Sequence, residues 1–312
     1  MPPRSLEIFD LPIIHRYRDE ALVLDSKRAL TRGNPLGAAT FLAHLDPTQR
    51  IYTGITDNEA SDPLLGCIIQ DESESFAHLI YLAPASQLEA HADLPALIEH
   101  LSAQCGNWGA HHVVAEIDER DVLFQTLRRS GFAIYTRQRI WDLSEIEISA
   151  NSENRWRKKG DVDLSAIQNL QRQIVPPMLQ QIEVFAKKST GQICQADELL
   201  AYVDVTYGAR GIFLRPLIHP NTDDVGEKMV NLLENLAIRR GRPVYLCVRT
   251  HQAWLETILE EMGASRGPRQ AVMVKHLVGV IREEKTVPRN ADTAWANPAA
   301  TISKTTTKQS NG

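Results

Sequence analysis

Polar and apolar positions along this chain fall into short alternating runs punctuated by longer runs of helical period. Residues 51–56, 64–70 and 76–82 are short, largely apolar runs with Asp, Asn, Glu and Ser between them, which predicts three strands in an antiparallel meander. Residues 5–9 alternate and predict an earlier strand. Asp10 then reads as a helix cap with Pro12 in the first turn, and Ile13, Ile14, Tyr17, Ala21 and Leu24 recur at helical spacing. After the meander, Asp93 and Pro95 open a helix over 94–105 that Gly106-Asn107 ends. A strand over 113–118, a helix over 123–129, the tripeptide Ser130-Gly131-Phe132 and a strand over 133–143 complete the series.

The series occurs twice. Residues 244–249, 254–261, Met262-Gly263-Ala264 and 270–277 repeat the strand, the helix, the glycine and the strand. Upstream, Leu65-Gly66 pairs with Leu200-Ala201 and Ala83-Pro84 with His219-Pro220, at offsets between 132 and 136 residues. Asp10-Leu11-Pro12-Ile13-Ile14 echoes Asp163-Leu164-Ser165-Ala166-Ile167 at an offset of 153, so the first copy carries extra residues early on. A period this long marks a duplicated domain, since solenoid repeats run to roughly 20–50 residues. Within the second copy, 164–174 and 178–186 predict helices broken at Pro176-Pro177, 199–207 and 211–218 predict strands, and 226–239 predicts a helix. The expected organisation is a first domain over 4–148, a linker over 149–160, a second domain over 161–283 and a disordered tail over 284–312.

At 312 residues the chain has room for two cores, as the repeat requires. A net charge of −5 offers no basic field for nucleic acid or an anionic membrane, so neither partner is expected. The four cysteines form no C-x-x-C pair, and neighbouring His111 and His112 point to opposite sides of a strand, so no metal is expected. No apolar run approaches the roughly 18 residues of a membrane span, and the N-terminal residues lack a signal-peptide core. A cytoplasmic location is the expectation.

Leu64-Leu65-Gly66 before a turn, and Leu127-Arg128-Arg129-Ser130-Gly131-Phe132 before the last long strand, resemble the GNAT N-acetyltransferase superfamily. In the second copy, Asp197-Glu198-Leu199-Leu200-Ala201-Tyr202 followed by Leu217-Ile218-His219-Pro220 looks like the family's central meander leading into its cofactor loop. The resemblance covers most of 4–148 and 155–282. It implies an α/β (α+β) fold class with two tandem GNAT-like domains, each a central mixed, mostly antiparallel sheet flanked by helices. In that family the fourth strand splays from the fifth and the pantetheine arm of acetyl-CoA lies in the gap. The pyrophosphate rests on backbone N–H groups of a loop patterned R/Q-x-x-G-x-G/A at the next helix start, where unpaired donors favour an anion.

Both copies depart from that loop. Pro220 to Lys228 keeps one glycine, Gly226, but sets Asp223 and Asp224 where a basic or amide residue is expected. Asp224 and Glu227 have capping-box spacing. The first copy has no glycine from Pro84 to Leu94, and Asp93 and Asp224 both read as ordinary helix caps. The family's tyrosine acid is replaced by Leu127 and Leu259.

Two functions follow from the resemblance. In the first, the protein is an acyltransferase moving an acetyl or other acyl group from acetyl-CoA to a small-molecule amine by direct attack. Glu116 and Asp118 are then the candidate bases, against the plainer reading of carboxylates solvated at a strand end. Ile218, His219, Val225, Gly226, Glu227 and Lys228 of the second copy would bind the cofactor, although His219 before a proline also suits a plain turn. The degenerate first copy would shape the acceptor side. In the second, the protein is a non-catalytic scaffold or ligand sensor that has lost acetyl-CoA binding in both copies. An aminoacyl-tRNA-dependent transferase would need a basic surface, against which the net charge speaks.

Overall fold

The computed structural model describes residues 2–37, 49–56, 62–147, 156–185, 190–195, 199–236 and 241–277. The predicted tail and nearly all of the N-terminal part of the linker lie outside them. The first copy supplies β1 (Arg4–Ser5), α1 (Leu11–Arg16), β2 (Leu22–Val23), α2 (Ser26–Arg32), β3 (Gln49–Ile55), β4 (Leu65–Asp71), β5 (Phe76–Ala83), α3 (Leu94–Asn107), β6 (His112–Asp118), α4 (Leu123–Arg129) and β7 (Ala133–Asp142). The second supplies β8 (Trp156–Lys158), α5 (Leu164–Ile174), β9 (Thr190–Gln195), β10 (Leu199–Tyr207), β11 (Ile212–Ile218), α6 (Val225–Asn235), β12 (Val244–Arg249), α7 (Leu255–Glu261) and β13 (Ser265–His276).

These strands form one mixed sheet in the order β1-β3-β4-β5-β6-β13-β7-β12-β11-β10-β9-β8, with β2 laid against β5 off that path. Among the described residues, only β5/β6 and β11/β12 pair in parallel. The centre is an exchange between the copies. The place beside β6 is taken by β13 of the second copy, and the place beside β12 by β7 of the first. β7 and β13 then pair with each other, with Gln138 opposite Gln270, its counterpart in the repeat. A pseudo-twofold axis therefore runs through that pair.

The exchange reaches into both cores. Ala271 and Met273 of β13 complete the apolar layer that α3 and α4 make on β5 and β6. Trp141, Leu143 and Ile146 at the end of the first copy complete the layer beneath α6 and α7. A third cluster, with Ile167, Leu170, Leu179 and Phe185, covers Phe76, Val114, Val272 and Val274 on the opposite face, again mixing the copies.

Local devices recur in both copies. Arg4 grips Asp10 through two bonds of 2.7 and 2.9 Å, and Arg157 grips Asp163 through two of 2.8 and 2.7 Å. Gly131 and Gly263 end their helices at φ 90° and 81°, a left-handed conformation that an L side chain resists. The Phe132 and Ala264 N–H groups then reach back to Leu127 and Leu259 at 3.1 and 2.9 Å, the bonding of a Schellman cap. Close approach fixes α2 against the second copy: a Cβ on Gly208 would lie 2.1 Å from the Thr31 carbonyl oxygen.

Several sequence expectations change. Residues 5–9 give only the short β1 and a 3-10 turn at Ile8–Asp10, and the helix expected to reach Leu24 ends at Arg16. Leu22 to Leu24 are apolar because they enter the sheet, not because they continue a helix. No helix forms over the described part of 178–186, while β8 lies inside the predicted linker and β9 had no sequence signal. Asp93 and Asp224 do stand at the N-cap positions of α3 and α6, but neither side chain makes the capping bond, and Asp224 sits at φ 50° where a capping residue is ordinarily extended.

Candidate functional site

Each copy opens a gap between its two parallel strands. In the first, β5 and β6 pair only at Phe76, Ala77 and His78. Beyond His78 the chain fills its own gap: Leu22 and Val23 pair with Leu82 and Tyr81. The Leu24 N–H then donates to Ile80 and its carbonyl accepts from the Glu116 N–H, both at 2.8 Å. Leu24 is 1% exposed. An extended ligand binding there through its amides would have to displace main chain that already satisfies both strand edges.

The second gap is closed differently. β11 and β12 pair only at Ile212, Phe213 and Leu214. Past that point the side chain of Gln252, 1% exposed, lies against β11. Its Oε1 accepts from the Ile218 N–H at 2.8 Å and its Nε2 donates to the Pro216 carbonyl at 2.9 Å. One side-chain amide thus satisfies the edge groups that a ligand amide would use. Gln252 escaped sequence reasoning because a glutamine in a short turn carries no signal until the strands around it are placed.

The predicted site residues scatter around these gaps. Ile218 is buried and committed to Gln252. His219 belongs to its turn, with Nδ1 accepting from the Asn221 N–H at 3.2 Å. Val225 is buried in the second core, Glu227 is exposed, and Gly226 would meet only ordinary contact from Ile258 if it carried a Cβ. The Lys228 ammonium bonds the Asp223 carbonyl oxygen, which holds a cation over the loop. Glu116 accepts the Ser26 N–H at 2.9 Å and lies 3.7 Å from Arg249. Asp118 pairs with Arg120 at 2.8 Å, and the bonds from Arg120 hold its carboxyl below the usual range. Neither carboxylate is a free base as it stands.

Between the gaps lies a polar chamber of about 60 Å³, lined by residues of both copies including Asp25, His78, Glu116, Asp204, Arg215 and Arg249. Arg215 meets Asp204 at 3.0 Å, and Arg249 meets Glu183 at 3.0 Å. Cys247 on its wall is kept in the thiol form, because burial pushes it up to about 12. Burial opposes the charge on Asp25, but His78, Arg28 and Lys27 outweigh it and hold the carboxyl below its ordinary value.

Burial pushes His78 down to about 4, against the pull of Asp25 and with Lys27, Arg28 and Arg215 adding to the fall. Glu74, Glu116, Asp204 and Arg249 face the same chamber. Because the native value lies below the unfolded one of about 6.5, the contribution is complete above pH 6.5 and is lost as pH falls toward 4. The parent should therefore lose about 2–3 kcal/mol more than His78→Leu across that window. Urea midpoints at three pH values check this, and parallel curves would refute it.

A separate cavity of about 380 Å³ lies between α2 and the β7, β12 and β13 strands. Val23, Ala29, Leu30, Ile140 and Tyr245 give it mainly apolar walls, and Asp142 adds a carboxylate. Among the described residues no group of three or more His, Cys, Asp or Glu is placed to hold a metal, and no helix is long and apolar enough to cross a membrane.

No family model matches the sequence, and no curated protein matches it. Solved structures do match in fold. A GCN5-related N-acetyltransferase from Sphaerobacter thermophilus superposes with a TM-score of 0.53 at 11% identity, over 88% of this chain and 95% of that one. A tandem GNAT protein from the clavulanic acid biosynthesis pathway gives 0.53 at 11%, over 88% and 98%. A putative acetyltransferase from Pyrococcus horikoshii gives 0.51 at 13%, over 88% and 89%. The chain has the tandem GNAT fold.

Proposed function

We propose that this chain, folded like the tandem GNAT acetyltransferases, serves as a ligand-binding protein and does not use acetyl-CoA in either strand gap. One observation carries the reading: both gaps are occupied by the chain's own atoms, main chain from Leu22 to Leu24 in the first and the Gln252 amide in the second. The first gap does not fit a pantetheine arm unless β2 leaves the sheet. The second fits one only if Gln252 withdraws, and the arm would then meet Asp223 and Asp224 near the pyrophosphate position. The 380 Å³ cavity, built from both copies, is of a size that small-molecule sites use and is the natural place for a ligand.

A second reading, acyl transfer to an amine in the second copy, is favoured by the difference between the two closures. A side chain withdraws by rotamer change, whereas β2 is main chain. Calorimetric titration with acetyl-CoA separates the readings. The parent should show no binding at millimolar acetyl-CoA, and Gln252→Ala with Asp223→Asn and Asp224→Asn should bind weakly at best. Micromolar binding by the parent, weakened by Gly226→Val, would overturn the binding-protein reading and install the transferase.

A further inference from the structure

The seam between β7 and β13 carries an arginine cluster that neither gap explains. Arg137, Arg139, Arg266 and Arg269 line one cavity of about 290 Å³, with Val248, Thr250, Ala253 and Glu256. It lies on the side of β12 away from the second gap. Arg137 and Arg269 stand at matching positions of the repeat, one on each side of the pseudo-twofold axis. The axis makes them converge.

The carboxylates nearby orient this cluster without exhausting it. Glu119 takes the Arg137 Nε at 2.7 Å through one oxygen and lies 3.6 Å from the Arg269 Nε through the other. Arg137 is thus hydrogen-bonded through its inner nitrogen, and Arg269 makes a longer ionic contact with the same carboxylate through its own. Among the described residues their terminal Nη groups make no hydrogen bond, and their side chains are 40% and 56% exposed. Arg139 is committed, with Nη1 on the Gly267 carbonyl at 3.1 Å and Nε 3.2 Å from Glu256. Arg266 reaches Glu256 at 3.7 Å and Glu260 at 3.4 Å. Four guanidiniums face three carboxylates, and the two with free forks are the ones related by the axis.

We propose that this cavity binds a phosphate group, free or as a small phosphomonoester, with Arg137 and Arg269 as its principal ligands. A guanidinium fork matches two oxygens of a tetrahedral oxyanion, and one shared carboxylate draws both guanidiniums to the same place before the ligand arrives. The volume exceeds the needs of a bare phosphate, and Val248 and Ala253 provide an apolar wall for an organic substituent. Because the site is open to solvent, its affinity should fall as salt rises.

The test titrates the full chain with phenyl phosphate, inorganic phosphate and benzoate at low ionic strength, by calorimetry. Either phosphate should bind and benzoate should not, and tighter phenyl phosphate identifies an ester site while equal affinity identifies free phosphate. Arg137→Gln with Arg269→Gln should weaken binding about tenfold or more, and Arg269→Lys, which keeps charge but loses the fork, should fall between. Melting curves report whether the variants fold, which the exposure of both side chains favours. Absence of binding to both phosphates at millimolar concentration, or unchanged affinity in the folded double variant, would overturn the proposal.

Discussion

Expressed separately, residues 1–148 and 149–283 are expected not to fold cooperatively, and to regain the native structure when mixed. Cut there, the first fragment loses β13, which pairs along β6 and β7 at the same time. Its core also loses Ala271 and Met273, both fully buried. The second fragment loses β7 beside β12, together with Trp141 and Leu143, each 0% exposed. Removing a central strand forfeits its row of backbone hydrogen bonds, each with a net worth of about 0.5–1.5 kcal/mol, together with the apolar area it covers, and removing the Trp141 side chain alone resembles a core Trp→Ala change of about 3–5 kcal/mol. Those losses match or exceed the usual stability of a domain, roughly 5–15 kcal/mol. Circular dichroism and amide exchange on each fragment and on the mixture decide it. A sharp, protected melt from either fragment alone would mean that the vacated place can be filled from within the same copy.

Glu183→Ala is expected to destabilise the protein by about 3–5 kcal/mol, because it strands the Arg249 guanidinium inside the chamber. The pair is buried, with Glu183 at 1% and Arg249 at 8% exposure. Their contact of 3.0 Å is an ion pair without hydrogen-bond alignment, and among the described residues both Glu183 oxygens and the Arg249 Nε and Nη1 lack hydrogen-bond partners. Glu116, at 3.7 Å, lies beyond hydrogen-bond reach and offsets only part of the charge that Glu183 balances. Polar burial satisfied so incompletely contributes little net stability, so Glu183→Leu with Arg249→Met should recover most of the loss. Urea unfolding of the single and double variants gives the coupling directly. A cost below about 1 kcal/mol for Glu183→Ala would show that water or a neighbour takes over the charge.

Parts of the site could be seen in the sequence and parts could not. The glycine-depleted, acidic loops before α3 and α6 were visible as letters, and they already separated this chain from the usual phosphate-binding pattern. Asp93 and Asp224 stand at the N-cap positions their spacing predicts, but neither side chain bonds its helix, since cap geometry depends on the backbone angle at which the chain enters the helix. Glu116 looked like a base because it ends a strand, but Ser26 and Arg249, distant in sequence, surround it. Gln252 carried no local pattern at all.

The sequence by itself determined the duplication, the meander and the terminal strand, helix, glycine and strand of each copy. Those features rest on period, caps and turn residues, which act between neighbours along the chain. Only the tertiary structure decided that the last strands change places, that Leu22 to Leu24 fill the first gap, and that Gln252 closes the second. A strand's apolar faces are the same whichever neighbour it has, so alternation specifies a strand without naming its partner. The partner is chosen by the hydrogen bonds and buried area of the whole sheet, which no local run of residues contains.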